Sequence, residues 1–245
     1  MSTLQVRLTQ AELMKFTTVR SHLVTLVLGT AAVVAIAVAV AAAGDQPIGP
    51  AAPEPVALPM EYFAYVAMVL GVLIATSDFC SGTYRVAAGL VPRPGLLLGS
   101  KYVAGVLLGL AAAVAVLLLV LLGAALGADA TMGSPFASDQ WSGHLVSLLV
   151  VPVAVTIGIS VGALLRSSAA AIALLLLWSL GVETVLVLLL PEDVGAYLPF
   201  KTVGASRTVV GELSDWAGFG LFALYAAALA ALAFAAHVRR DAPAD

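Results

Sequence analysis

The chain has 245 residues, 62% of them hydrophobic and 10% charged, and its mean hydropathy is +1.08. A soluble domain usually carries about 25% charged residues, so a water-soluble enzyme is excluded and an integral membrane protein remains. The net charge of −3, from 11 Lys and Arg against 14 Asp and Glu, offers no basic patch to nucleic acid. The single cysteine, Cys80, rules out an intrachain disulfide or a cysteine metal cluster, and the lack of any asparagine rules out N-glycosylation.

The leader, residues 1–21, contains Thr9-Gln10-Ala11-Glu12, a capping-box pattern that predicts a helix start at this point. From there Ala11, Met14 and Thr18 share one face, and Glu12, Lys15 and Val19 another. That pattern predicts a short amphipathic helix lying on the membrane surface. Residues 22–43 form the first apolar run that meets the roughly 20 residues a spanning helix needs. Ala39-Val40-Ala41 resembles a signal cleavage site, but this run exceeds the about 7–15 apolar residues of a signal and follows a long polar lead. It therefore reads as an uncleaved anchor.

Residues 60–76 form the second and shortest run, completing spans one and two within 22–76. The polar segment that follows, 77–100, is longer than the about 2–8 residues of a simple helix–helix link. Its middle, Thr83 to Leu90, is helix-forming and is stopped by Gly89 and Pro92-Arg93-Pro94. A short helix parallel to the membrane is expected there, with Lys101 marking the interface at which the third span enters. Spans three to five occupy 101–190, as runs over 101–127, 144–165 and 168–190. Uninterrupted stretches such as Ala111 to Leu122 lack the alternation of a membrane barrel.

Residues 191–215 mix Val194, Tyr197, Leu198, Phe200, Val209 and Val210 with Gly and Pro breaks. So apolar a loop is expected to fold back as short half-inserted helices, whose backbone must be satisfied internally. The sixth span, 216–238, and a tail, 239–245, complete one transmembrane domain over 1–245. The expected fold is an all-α six-transmembrane-helix bundle with an amphipathic interfacial leader and a re-entrant last external loop. Nine of the 11 basic residues (Arg7, Lys15, Arg20, Arg85, Arg93, Lys101, Arg166, Arg239 and Arg240) fall on one side of these spans, and Lys201 and Arg207 on the other. The excess of Lys and Arg marks the cytoplasmic face, so both termini are expected in the cytoplasm.

Little chemistry is available within the spans. Glu183, in Trp178-Ser179-Leu180-Gly181-Val182-Glu183, is the one clear intramembrane carboxylate and so a functional candidate. It could line a transport path, as in a stand-alone secondary transporter or channel, or bond to a neighbouring helix or to the segment after Pro191. Gly181 beside it would allow close helix approach, and Trp178 belongs to the same path-or-packing cluster. His22, His144 and His237 sit at span ends and read as interfacial. Neither Gly-x-Ser-x-Gly nor His-Glu-x-x-His occurs, which argues against an enzyme working by its own side chains. None of Lys15, Lys101 or Lys201 follows a glycine, so the chain has no phosphate-binding loop and no ATP chemistry of its own.

The leader Ala11-Glu12-Leu13-Met14-Lys15-Phe16-Thr17-Thr18-Val19-Arg20-Ser21 resembles the opening of membrane subunits of type-2 ATP-binding-cassette (ABC) exporters, where Glu-x-x-Lys-x-x-x-x-Arg-Ser precedes the first span. Gly82-Thr83-Tyr84-Arg85, then Pro92-Arg93, then Lys101, is similar to that family's Gly-Thr-x-Arg … Pro-Arg … Lys pattern, with Asp78 where a glutamate is more usual. Glu183 and Leu198-Pro199-Phe200 resemble features of bacterial members. The resemblance implies a permease subunit in a bacterial cell membrane that moves a drug-like, lipid or peptide substrate, as in multidrug efflux. It would pair with a second permease subunit and with a separate cytoplasmic ATPase that binds ATP and Mg. It further implies that Glu12, Lys15, Arg20, Asp78, Gly82, Thr83, Tyr84, Arg85, Pro92 and Arg93 form the ATPase contact, and that the helix after Gly82 is a coupling helix. This chain itself would carry no cofactor and no metal.

Overall fold

The computed structural model describes residues 3–43, 55–91, 94–127, 141–195, 197–202 and 213–240. Within them the chain is helical and contains no strand. Helix α1 runs Thr3–Thr18 and α2 Arg20–Ala43, separated only by Val19. Helix α3 is Ala57–Cys80, α4 the short Tyr84–Leu90, α5 Pro94–Gly127 and α6 Trp141–Leu165. Helix α7, Ser168–Leu189, is interrupted by a π-helical turn over Leu177–Val182. A single turn, α8, covers Glu192–Gly195, and α9 is Asp215–Arg240. Six of these, namely α2, α3, α5, α6, α7 and α9, are long and apolar enough to cross a membrane. The fold is an α-helical, multi-pass membrane bundle.

Two spans are longer than their apolar runs. Helix α3 continues past Thr76 to Cys80 because the Thr76 and Ser77 hydroxyls bond back to the Val72 and Ile74 carbonyls, so the polar side chains do not compete for the ladder. Helix α5 starts at Pro94, seven residues before Lys101, a proline in the first turn being no obstacle to a helix. The polar link between them therefore shrinks from the expected 77–100 to 81–93. Helix α1 also starts earlier than expected. Thr9 lies in its interior, donating to the Gln5 carbonyl, and Glu12 is drawn into ion pairs, so the capping box is not formed.

The interior of the bundle is built from α3 and α6, with α5 along one side. What lets them approach is the absence of side chains. A Cβ on Gly71 would lie 2.2 Å from the Val155 carbonyl oxygen, and one on Gly158 would lie 2.0 Å from that of Met68. Gly162, one turn on, faces Val72 and Ala75, and Gly105 and Gly109 on α5 face Val155, Ile159 and Pro152 of α6. Gly123 and Gly127 do the same for α5 against Val34, Val38 and Ala41 of α2. In a membrane, where burying apolar surface drives no association, such close backbone contact supplies the packing energy. Tyr102 and Ser160, 2.9 Å apart, add a polar tie between α5 and α6. Helices α2, α7 and α9 pack on the outside and leave most of their surface uncovered.

Gly158→Ala should cost about 1–3 kcal/mol by forcing α3 and α6 apart, lowering the melting temperature in detergent. Gly220→Ala, where a Cβ would meet nothing within 4 Å, should leave the melt unchanged. Equal melts for the two variants would refute the close-contact account.

Candidate functional site

At the end of the bundle where α1, α4 and the C-termini of α3 and α9 meet, four charged side chains close a ring. Lys15 Nζ lies 2.8 Å from Glu12 Oε1 and 2.9 Å from Asp78 Oδ1. Lys101 Nζ lies 3.2 Å from Glu12 Oε2 and 2.8 Å from Asp78 Oδ2. Each carboxylate thus bridges both ammonium groups, and each ammonium bridges both carboxylates. Lys101 also donates to the Ile74 carbonyl at 3.0 Å, and the Thr83 hydroxyl to Asp78 at 3.4 Å. The ring is net neutral and largely dry: the side chains of Lys101, Glu12 and Asp78 are 5%, 8% and 8% exposed, and Lys15 39%.

The elements explain the geometry. Glu12 and Lys15, three apart on α1, project from one face; Asp78 lies in the last turn of α3 and Lys101 two turns into α5. Lys101 is therefore not an interfacial lysine reaching for water, as the sequence suggests, but the most buried member of the ring. Partial burial acts to lower the Lys15 pKa, and hydrogen bonding and attraction to Glu12 and then Asp78 outweigh it, holding the group above its ordinary 10.5. A raised lysine pKa contributes stability that is complete below the ordinary value and lost as pH climbs through the raised one. Lys15 is thus a charged ammonium at neutral pH.

Beside the ring the chain turns from α3 into α4. Gly82 has φ +70°, and a Cβ there would meet nothing within 4 Å, so glycine serves the left-handed turn and no contact. Thr83 bonds to Ser81 at 2.8 Å. Tyr84 stacks on Phe79 with ring centroids 4.4 Å apart, and its hydroxyl lies 3.2 Å from His237 Nε2 on α9. The Arg166 guanidinium covers both rings, 5.1 Å from Phe79 and 5.7 Å from Tyr84. Arg166 itself sits at φ 54° between α6 and α7, an uncommon conformation for a residue with a side chain. Tyr84 therefore joins α4 to α3, to the α6–α7 turn and to α9.

Of the residues expected to act together, Glu12, Lys15 and Asp78 share the ring, Thr83 borders it, and Gly82 and Tyr84 form the adjoining turn. Arg20 begins α2 on an exposed position and Arg85 lies on α4. Pro92 and Arg93 lie outside the described residues. His22, His144 and His237 lie in the end turns of their helices and are buried within the protein: His22 stacks on Phe16, His144 lies against Trp141, and His237 meets Tyr84.

The second site is at the opposite end. Glu183, fully buried, accepts from Trp178 Nε1 and from the Phe200 backbone N–H, each at 2.9 Å. The π turn makes the first bond possible. The Glu183 N–H bonds to the Trp178 carbonyl five residues back, which brings side chains at i and i+5 onto one face. Phe200 is wedged between Tyr65 of α3 and Phe222 of α9, at centroid distances of 6.4 and 5.9 Å. Tyr225 secures the same loop by donating to the Tyr197 carbonyl at 2.9 Å. The void beside Phe200 measures about 20 Å³, room for about one water. Gly181 does not serve close helix approach: a Cβ there would meet only Leu177 of its own helix, at 3.4 Å. Within the expected fold-back, 203–212 lie outside the described residues, while Val194 and Tyr197 are exposed and Phe200 is buried.

Among the described residues no group of three or more His, Cys, Asp or Glu side chains could hold a metal ion. No protein-family model matches the chain, and neither does any curated protein.

Lys101→Met removes the buried ammonium and leaves two carboxylates to share Lys15, which should destabilise the fold by about 3–5 kcal/mol. Lys15→Met, at the wetter corner, should cost clearly less, and unfolding titrations in mixed detergent would rank the two. At the other end, Glu183→Leu removes the acceptor of the Phe200 N–H and should loosen the loop by about 1.5–3 kcal/mol. Trypsin cleavage after Lys201 should then be faster than in the wild type; an unchanged rate would show that the clamp does not hold the loop.

Proposed function

We propose that this chain is the membrane-spanning permease subunit of an ATP-driven ABC exporter, set in a bacterial cell membrane with both termini in the cytoplasm. It works with a second permease subunit and a separate cytoplasmic ATPase that supplies ATP and Mg chemistry, and it moves a drug-like, lipid or peptide substrate outward. The observation that carries this reading is the way α1 and α4 are fixed to the spans. The ion ring fastens α1 to α3 and α5, and Tyr84 fastens α4 to α3, to the α6–α7 turn and to α9. A push on these two helices reaches α3, α5, α9 and the α6–α7 turn through polar and aromatic contacts, as a coupling surface requires. Vectorial transport needs such an external driver, because binding alone shifts an equilibrium only by differential affinity.

On this reading the ring residues Glu12, Lys15 and Asp78 position the surface and do not themselves touch the ATPase. The contact falls to the outer faces of α1 and α4 and to the exposed Arg20. Val86 and Leu90, four apart on α4, are 66% and 79% exposed, an apolar pair suited to seat in a partner's groove. The alternative of a stand-alone transporter using Glu183 has less support, since both carboxylate oxygens are engaged and the adjoining void is small. The loop held by Glu183 acts instead as an external re-entrant cap.

Purified from its native membrane, the chain should bring with it Mg-dependent ATP hydrolysis, and transport in vesicles should require ATP. Val86→Asp with Leu90→Asp should cut the co-purifying ATPase activity about tenfold or more while insertion is unchanged; Arg85→Glu should act in the same direction. Transport at full rate without ATP or any second subunit would refute the proposal.

A further inference from the structure

The void beside Phe200 lies among α3, α6, α9 and the loop that Glu183 holds, and Met60, Glu61, Tyr65, Ser147, Phe200 and Phe222 are among its lining residues. Three of these bring oxygen to it. Glu61 and Tyr65, four apart on α3, share one helix face, and the Tyr65 hydroxyl donates to Glu61 Oε1 at 3.2 Å. With its proton directed there, the Tyr65 oxygen still has a lone pair to offer as an acceptor. Ser147 adds a hydroxyl oxygen from α6. The remaining wall is apolar and aromatic. Met60 and Phe222 are buried, and the Phe200 ring lies 6.4 Å from that of Tyr65 and 5.9 Å from that of Phe222.

The charge of this wall is negative. Glu61 is half-buried at the void, Glu183 lies within electrostatic reach of Tyr65, and no lysine or arginine among the described residues lines the space. Lys201 acts on Glu183 but does not border the void. At about 20 Å³ the void has room for one water-sized group, and a –NH3+ head is of that size. A hard divalent cation takes six or more oxygens, which three side chains and a wall of rings and a thioether do not supply. An ammonium asks for three acceptors, one for each N–H, and is attracted to aromatic faces.

We infer that this void seats the –NH3+ head of a primary amine, which donates to the oxygens of Glu61, Tyr65 and Ser147 and sets its charge among the Tyr65, Phe200 and Phe222 rings. Only the head enters, because the void holds no more, and the attached chain stays at its mouth beside the half-buried Glu61 and Ser147. The inference concerns binding and does not depend on the exporter reading.

The test uses the full chain in nanodiscs at neutral pH and constant ionic strength, with empty nanodiscs as background and three probes: n-butylammonium, n-butyltrimethylammonium, which has the charge but no N–H, and potassium. Butylammonium should bind once per chain and about tenfold or more tighter than butyltrimethylammonium. Glu61→Gln, which keeps the shape and removes the charge, should weaken that binding by a similar factor, and Ser147→Leu, which fills the void, should abolish it. Should Glu61→Gln fail to fold, Ser147→Leu on its half-buried position decides. Equal affinity for butyltrimethylammonium, displacement of butylammonium by an equal concentration of potassium, or binding untouched by either variant would overturn the inference.

Discussion

A charge can sit inside an apolar bundle only where another charge and fixed dipoles replace the water it has lost. Asp78 and Lys101 sit near the ends of two spans, and neither could be buried alone. Together they would neutralise one another but leave lone pairs and protons unmet. Glu12 and Lys15 complete the set, and they come from a helix that crosses nothing. That requirement is what holds α1 against the bundle, because moving α1 away would strand Asp78 and Lys101 with half their partners. The position of the leader is thus an electrostatic consequence of two charges placed on other helices.

The two ends of the bundle use the same physics for different purposes. At the basic end four compensated charges and a tyrosine lock short helices to long ones. At the opposite end a single carboxylate, Glu183, is satisfied by one indole and one backbone N–H and so ties a loop to the C-terminal half of α7. Between them α3 and α6 pack backbone to backbone through glycine, and the glycines of α5 admit side chains of α6. Helices α2, α7 and α9 are held more lightly on the outside.

The class of fold is legible in hydropathy because spanning length is set by the bilayer and not by neighbouring helices. The short helix after Gly82 is legible because turn glycines and prolines act locally. What is not legible depends on contacts between distant positions. Thr9 and Glu12 have the spacing of a capping box, but the helix starts a turn and a half earlier and Glu12 is claimed by lysines from two elements. Lys101 reads as an interfacial residue because nothing in its own span reveals that Glu12 and Asp78 will meet it. The π turn at Leu177–Val182 carries no local mark, and without it Trp178 and Glu183 would point different ways. The paired glycines at 105 and 109, 123 and 127, and 158 and 162 are different: their four-residue spacing in apolar helices is a legible signal of close packing, though one easily lost among the many small residues around it.

The most direct measurement of the central claim is amide hydrogen exchange along α1 in the intact protein in nanodiscs. If the ion ring holds the leader to the spans, the amides of Leu13 to Phe16 exchange slowly, at rates approaching those of the adjoining turns of α3 and α5, and Asp78→Asn speeds them selectively. Rapid exchange along α1 in the wild type, or rates indifferent to the loss of the Asp78 charge, would contradict the account.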